Sequence, residues 1–537
     1  MRYGATLIVL FLLGASAAWC DEGHQHALTE KEVGSVHFAT SCSKAVETSF
    51  QRAVALLHSF QYEQTRAAFT EISKQDPQCA MAQWGVAMSQ YHGLWHNGDT
   101  AAGREALRKA QDLAARNATT TARERAYLDA LAEIYKDDGK DEFAHSVAFE
   151  QKMGAVQAAY PDDTEAAIFH ALLLDVTALP TDKSLANQRK CGEILEPIFI
   201  QQPNHPGVAH YIIHCYDNPL LAERGLSAAR KYATIAPASA HANHMPSHLF
   251  TRVGSWDESI QSNLRAAGLA TRAEATSANG EARDERLHAM DYLEYAYLQK
   301  GRVSDARAVW DEMNALAPIP GLTPVGGYSQ ASIPARYTIE LGKWEDAAHL
   351  QARAETAPWV QAITWMAVGL GAARSNDLTR AAEAERNLAR LRDTSSAANP
   401  YWSKQIEVQR REVAAWIAQA SAKPDEAIAG MRSAAELEES MDKAPVTPGA
   451  IVPARELLAR LLQAQDRPKD AFAEYEAVLK LAPNRFNALW GAASTAEASG
   501  NTSAASKYFQ KLAEIGVGTE RPELEIARKK AATITKN

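Results

Sequence analysis

The sequence predicts an all-α protein, a right-handed superhelical solenoid of stacked helical hairpins. Three observations carry this. Helix formers dominate from about residue 46 onward, with no sustained two-residue apolar alternation and no cluster of hairpin-turn signals. The chain also repeats itself: ARELLARLLQAQDRPKDAFAEYEAVLKLAPN is followed by NALWGAASTAEASGNTSAASKYFQKLAEI, placing Ala471 and Ala505 34 residues apart, and Tyr475 and Phe509 likewise. Proline or glycine punctuates the units where helices must stop or turn, as at Pro237, Gly254 and Pro483. A hairpin that buries too little apolar surface alone stacks on its neighbours, so 537 residues can form one array with a concave inner face.

From the N-terminus, MRYGATLIVLFLLGASAAWCDEG sets one positive charge, Arg2, before an apolar run and small residues. That is the pattern of a secretory signal peptide over residues 1–19, with cleavage after Ala17 or Ala18. The apolar run is too short to span a bilayer, and no later stretch approaches the roughly 18 apolar residues a span needs. Cys20 raises lipid anchoring, but Trp19 stands where lipoprotein signals carry a small residue, so an anchor is the less favoured reading. An extension, 20–45, contains HQH, read as a polar tail before a metal site. A first array then covers 46–316, the loop PIPGLTPVGGY at 317–327 makes a bend, and a second array covers 328–537. Irregular joins fall near 96–123, 179–188 and 440–452. A net charge of −9 leaves no basic field for nucleic acid.

The units continue upstream. FQRAVALLHSFQYEQTRAAFTEISKQDP ends at Pro77 before CAMAQWGVAMSQYHGLW, and GLSAARKYATIAP ends at Pro237 before HANHMPSHLFTRVGSWDESI. They resemble the tetratricopeptide (TPR) repeat, whose 34-residue helix-turn-helix carries small residues where its helices touch, an aromatic in the second helix and a terminal proline. The strings HPGVAHYIIHCYD and HANHMPSHLF are also similar to those of a group of exported bacterial TPR proteins. That likeness supports a periplasmic or extracellular location and a shared groove, and supplies no reaction.

The TPR resemblance implies that the first helix of each hairpin lines a concave groove suited to a protein or peptide, with repeat positions two, five, nine and twelve facing it. With Ala240 at position one, His241, His244 and His248 take positions two, five and nine. One repeat earlier, His210, His214 and Asp217 take five, nine and twelve; one hairpin later, His288 and Asp291 take two and five. Neutral imidazole is a ligand for Zn, Cu and Fe, and pairs four residues apart on neighbouring helices can share an ion. The expected transition-metal site is therefore His210, His214, His244 and His248, with His241, His288 and Asp291 behind them. A polar groove for peptide or small ligand, and a layer of structural histidines copied with the repeat, stay open as alternatives.

HYIIH is not HExxH, since Tyr211 replaces the glutamate of a zincin, and there is no Walker glycine loop, GxSxG or CxxC. No enzyme class follows. A scaffold carrying a metal site, a metalloenzyme of unknown reaction and a metal-free adaptor all remain. His58 and His92, both at position thirteen beside Trp84, Tyr91 and Trp95, read as core packing before an aromatic end of the groove, and His170 reads as structural. By repeat register Cys42 and Cys79 lie at the same end of adjacent first helices and are expected to pair, with Cys191 and Cys215 as a second pair in the oxidising compartment that export implies.

Overall fold

A computed structural model describes residues 28–94, 98–275, 280–317, 323–396 and 399–534. The signal peptide, Cys20, the HQH tail and Trp95 lie outside the described residues. Every regular element among the described residues is helical, and no helix there is long and apolar enough to cross a membrane. Consecutive helices pack side by side as hairpins, and each hairpin packs on the next. Prolines open many of them, as in Pro206–Cys215, Pro358–Arg374, Pro400–Ala420 and Pro468–Leu481, where the missing N–H costs nothing.

The repeat's small and aromatic positions meet across hairpins. A Cβ on Gly85 would fall 2.4 Å from the Phe69 ring, and one on Gly491 would fall 2.2 Å from the Tyr475 ring. An aromatic closing one hairpin thus lies flat against a glycine opening the next. Gly491→Ala is expected to lower stability by about 1–3 kcal/mol through overpacking, measured by urea denaturation.

Cys42 is bonded to Cys79, Cα to Cα 4.8 Å, and Cys191 to Cys215, 6.1 Å. The first bridge ties the N-terminal extension to the helix Ala80–Met88; the second ties Ala186–Gln201 to the end of Pro206–Cys215. The Cys42→Ser, Cys79→Ser double variant is expected to lose roughly 4 kcal/mol, the chain entropy of a 37-residue closure, in the same denaturation measurement.

The apolar core falls into three clusters. One runs from Val33 to Phe250 and one from Tyr328 to Ala527, while a smaller one, from Trp256 to Tyr337, bridges the expected bend. That bend is shorter than 317–327: Thr323 caps a helix that resumes at Pro324, and Asp284 accepts from the N–H groups of Thr323 and Gly326.

The array also closes on itself. Trp256 Nε1 donates to Asn484 O at 2.8 Å, Phe486 N to Gln299 Oε1 at 2.9 Å, and Val517 N to Lys300 O at 2.8 Å. Gly254 sits at this seam with φ +70°, and a Cβ there would meet Pro483 O at 2.2 Å. The non-helical segment 440–453 becomes a strap across the inside: Asp442 N donates to Pro180 O, and Lys443 Nζ to Asp217. The concave face that carries the histidines is therefore covered.

Candidate metal centre

Six histidines meet under the strap, each no more than 8% exposed. They come from four helices: Pro206–Cys215, Ala240–His244, Pro246–Val253 and Glu281–Gln299. They form two trios, His210 with His214 and His241, and His244 with His248 and His288; within each trio one ligand atom per residue lies within 4.8 Å of the others. The trios adjoin, with ring centroids 6.3 Å apart for His214 and His248 and 6.5 Å for His241 and His244.

This differs from four imidazoles on one ion. His210 and His214 belong to one trio, His244 and His248 to the other, and His241 and His288 complete the trios instead of standing behind them. His241 and His244 share the helix Ala240–His244 yet join different trios, and His248, from Pro246–Val253, joins His244. Asp291 does not join them: its carboxylate bonds Arg336 and Ser332, one turn beyond His288.

The outer hydrogen bonds fix where the protons are. His210 Nδ1 is 2.6 Å from the carbonyl oxygen of His58, an acceptor only, so Nδ1 carries the proton and Nε2 is bare. That one lone pair faces His214 Nε2 at 3.1 Å and His241 Nε2 at 3.0 Å. In the second trio, His244 Nδ1 donates to Asn263 Oδ1 at 2.7 Å, and the Asn263 amide is oriented by donating its own Nδ2 to Ser259 O. His248 Nδ1 donates to Asp217 Oδ2 at 2.8 Å. Both Nε2 atoms are then bare, and they stand 3.0 Å apart, lone pair to lone pair.

An extra proton on His248 would relieve this contact, but the surroundings oppose it. Burial, outweighing the bond to Asp217, holds His248 below its ordinary value, and burial holds the other five well below theirs. Asp217 is already neutralised: burial works to raise its carboxyl, yet Lys443, Arg252 and His248 together hold it well below the usual range. Tyr292 packs against the second trio with centroids 4.8 to 5.2 Å from its three rings and donates its hydroxyl to Thr447 O.

A third cluster, His58, Glu165 and His205, lies one layer out and behaves differently. Both Nε2 atoms meet Glu165 at 2.9 Å, His58 Nδ1 accepts from Tyr211 OH, and His205 Nδ1 accepts from Val208 N. Every polar atom has a partner of the right kind, so no cation is needed. His58 is thus a buried strut whose carbonyl positions His210, while His92 stacks on Tyr62 at 3.9 Å. His170 bonds Gln157 and Glu150.

Glu165, Asn263, Lys443 and Thr447 were not singled out by sequence. Asp217 was visible by register; its cations Arg252 and Lys443 were not, because Lys443 reaches it from 226 residues away.

Comparisons with solved structures give likenesses at low identity. Yeast Tom70 is matched at 13% identity and a TM-score of 0.31, over 76% of this chain and 96% of that one. The Cut9–Hcn1 hetero-tetramer of the APC/C is matched at 11% and 0.33, over 91% and 89%. IFIT1 with Gppp-AAAA is matched at 10% and 0.37, over 81% and 90%. No family model and no curated protein matches the chain. The functional reading therefore rests on the site itself.

Proposed function

We propose that this helical-repeat protein is an exported metalloprotein whose six histidines hold a pair of transition-metal ions, one per trio, and that the ions are copper. The observation that carries it is the pair of bare Nε2 lone pairs of His244 and His248 at 3.0 Å with both Nδ1 protons committed elsewhere. A cation on their shared side turns a repulsive contact into two bonds. Six neutral ligands and no carboxylate in either trio disfavour iron and manganese, which draw carboxylates. Charge separates copper from zinc. Asp217 and Asp442 balance Arg252 and Lys443, so the surroundings add no net negative charge to offset two divalent ions. Two cuprous ions bring half that charge into a buried place, where the cost climbs steeply with charge.

Three protein ligands per ion leave each with an open position. No carboxylate among the described residues joins either trio to serve as a hydrolytic base, so the reaction class that fits is dioxygen chemistry. Copper held by His210, His214 and His241 and by His244, His248 and His288 would supply one-electron redox chemistry toward dioxygen. Two disulfides support an oxidising compartment, in keeping with the signal-like N-terminus. A protein or peptide partner of the scaffold would bind away from the histidines, since segment 440–453 covers them.

The test is anaerobic titration of chelator-treated, disulfide-intact protein with cuprous ion, with elemental analysis. Two equivalents per chain and a new near-ultraviolet absorption on admitting dioxygen are expected. One equivalent, or none, would overturn the paired centre; two zinc ions retained against excess cuprous ion would overturn the metal's identity.

A further inference from the structure

The strap and the helices Pro358–Arg374 and Pro400–Ala420 enclose a cavity of about 460 Å³ beside the histidine centre. It shares its wall with that centre: Lys443 and Arg252, which hold Asp217, and Thr447, which holds Tyr292, all line it. The volume falls in the small-ligand range of roughly 300–1,000 Å³. Its shape is long. Trp402 and Glu412 both line it from one helix, and ten residues of helix rise about 15 Å.

The two ends differ in chemistry. One is aromatic: Trp359 and Trp402 stack at 4.2 Å and 8°, with Tyr328 and Tyr401 beside them. The other end carries Glu412 and Glu438. Glu412 is 2% exposed and makes no hydrogen bond or ion pair with any described residue, and Glu438 accepts only from Ala454 N. The nearby cations are committed elsewhere: Arg252 and Lys443 to Asp217, Arg455 to Glu439 and Glu474. Two carboxyls thus sit in a cavity wall without a cation, facing an aromatic surface that itself attracts cations.

We propose that this cavity binds an organic ammonium ion with an elongated apolar or aromatic body, the charged head at Glu412 and Glu438 and the tail against the Trp359 and Trp402 stack. Burial raises both groups, the Glu438 charge adding to it at Glu412 and the Glu439 charge at Glu438, which stands at about 7 although the Ala454 N–H, Arg485 and Arg455 work against the rise. An ammonium head supplies a counter-charge and donates to both. A carboxylate ligand would add a third negative group, and a neutral alcohol would leave the demand unmet. The inference goes beyond the copper reading and does not depend on it.

The experiment compares 4-phenylbutylamine, 4-phenylbutanol and 4-phenylbutyrate by isothermal titration calorimetry at pH 7.5. It uses the full disulfide-bonded protein, with and without copper, and copper content is measured on the same samples so that the two readings fail separately. The amine is expected to bind at least tenfold more tightly than the alcohol, and the acid more weakly than either. Glu412→Gln should abolish the preference for amine over alcohol and leave alcohol binding unchanged; Trp402→Ala should weaken all three. Glu438→Gln serves as the second variant should the first fail to fold. Alcohol or acid binding as tightly as the amine, an amine preference surviving both glutamine variants, or no saturable binding by any of the three would overturn the proposal.

Discussion

His244→Ala is expected to remove one of two copper ions and leave the other in place. His244 ties the second trio together, its Nε2 3.0 Å from His248 Nε2 and its ring 4.4 Å from that of His288, while the first trio closes through His210. Loss of one ligand from three should weaken that ion by more than the 10- to 100-fold typical of removing an outer partner. Asp217→Asn, which touches no metal position, should fall in that 10- to 100-fold range. His210→Ala should show the mirror pattern, losing the first ion and keeping the second. Helical content should hold in each, because hairpins elsewhere keep their own neighbours. Convergence of four imidazoles on one ion predicts a fall from one equivalent to none in both variants. A purely structural layer predicts lower melting temperatures and no change in metal content. Burial holds the imidazoles well below their ordinary value of 6.5, so both ions should stay bound at pH 7 and leave only when the pH falls well below 6.5, where protons compete for Nε2.

Much of this is legible in the sequence, and the parts that are not share a cause. Helical period and the 34-residue spacing of Ala471 from Ala505 and Tyr475 from Phe509 are local facts, written within one or two hairpins. The same periodicity brought His210, His214, His244 and His248 to one face. It could not divide them between two trios, because neighbours on one helix part company: His241 and His244 share Ala240–His244 and join different trios. Register also placed Asp291 at a groove position, and Arg336, 45 residues on, claimed it. Partners that far away leave no periodic trace. The strap is the strongest case: a stretch rich in proline reads as an irregular join, and only closure of the array turns Lys443 and Thr447 toward the histidines.

Closure has an energetic centre, and Arg485→Ala is expected to lower stability by about 3–5 kcal/mol, the cost of stranding buried charges. Arg485 is fully buried; its guanidinium donates to Glu340, to Glu456 and to the hydroxyl of Tyr295 at 3.1 Å. Glu340 and Glu456 are themselves 4% and 0% exposed, and Glu456 keeps Arg460 while Glu340 has no other basic partner among the described residues. Truncating the arginine therefore leaves a carboxylate in the seam between the middle of the chain and its last hairpins. If the loss comes from that stranded charge, Glu340→Gln added to Arg485→Ala should recover part of it, a coupling that a cavity alone would not produce. The strap should loosen with the seam. Limited proteolysis is expected to cut within 440–453 in the variant and not in the parent, and copper affinity should fall although no ligand has been altered. Urea denaturation decides the first point; an Arg485→Ala protein as stable as the parent, with an uncut strap, would mean that the array does not close through this arginine.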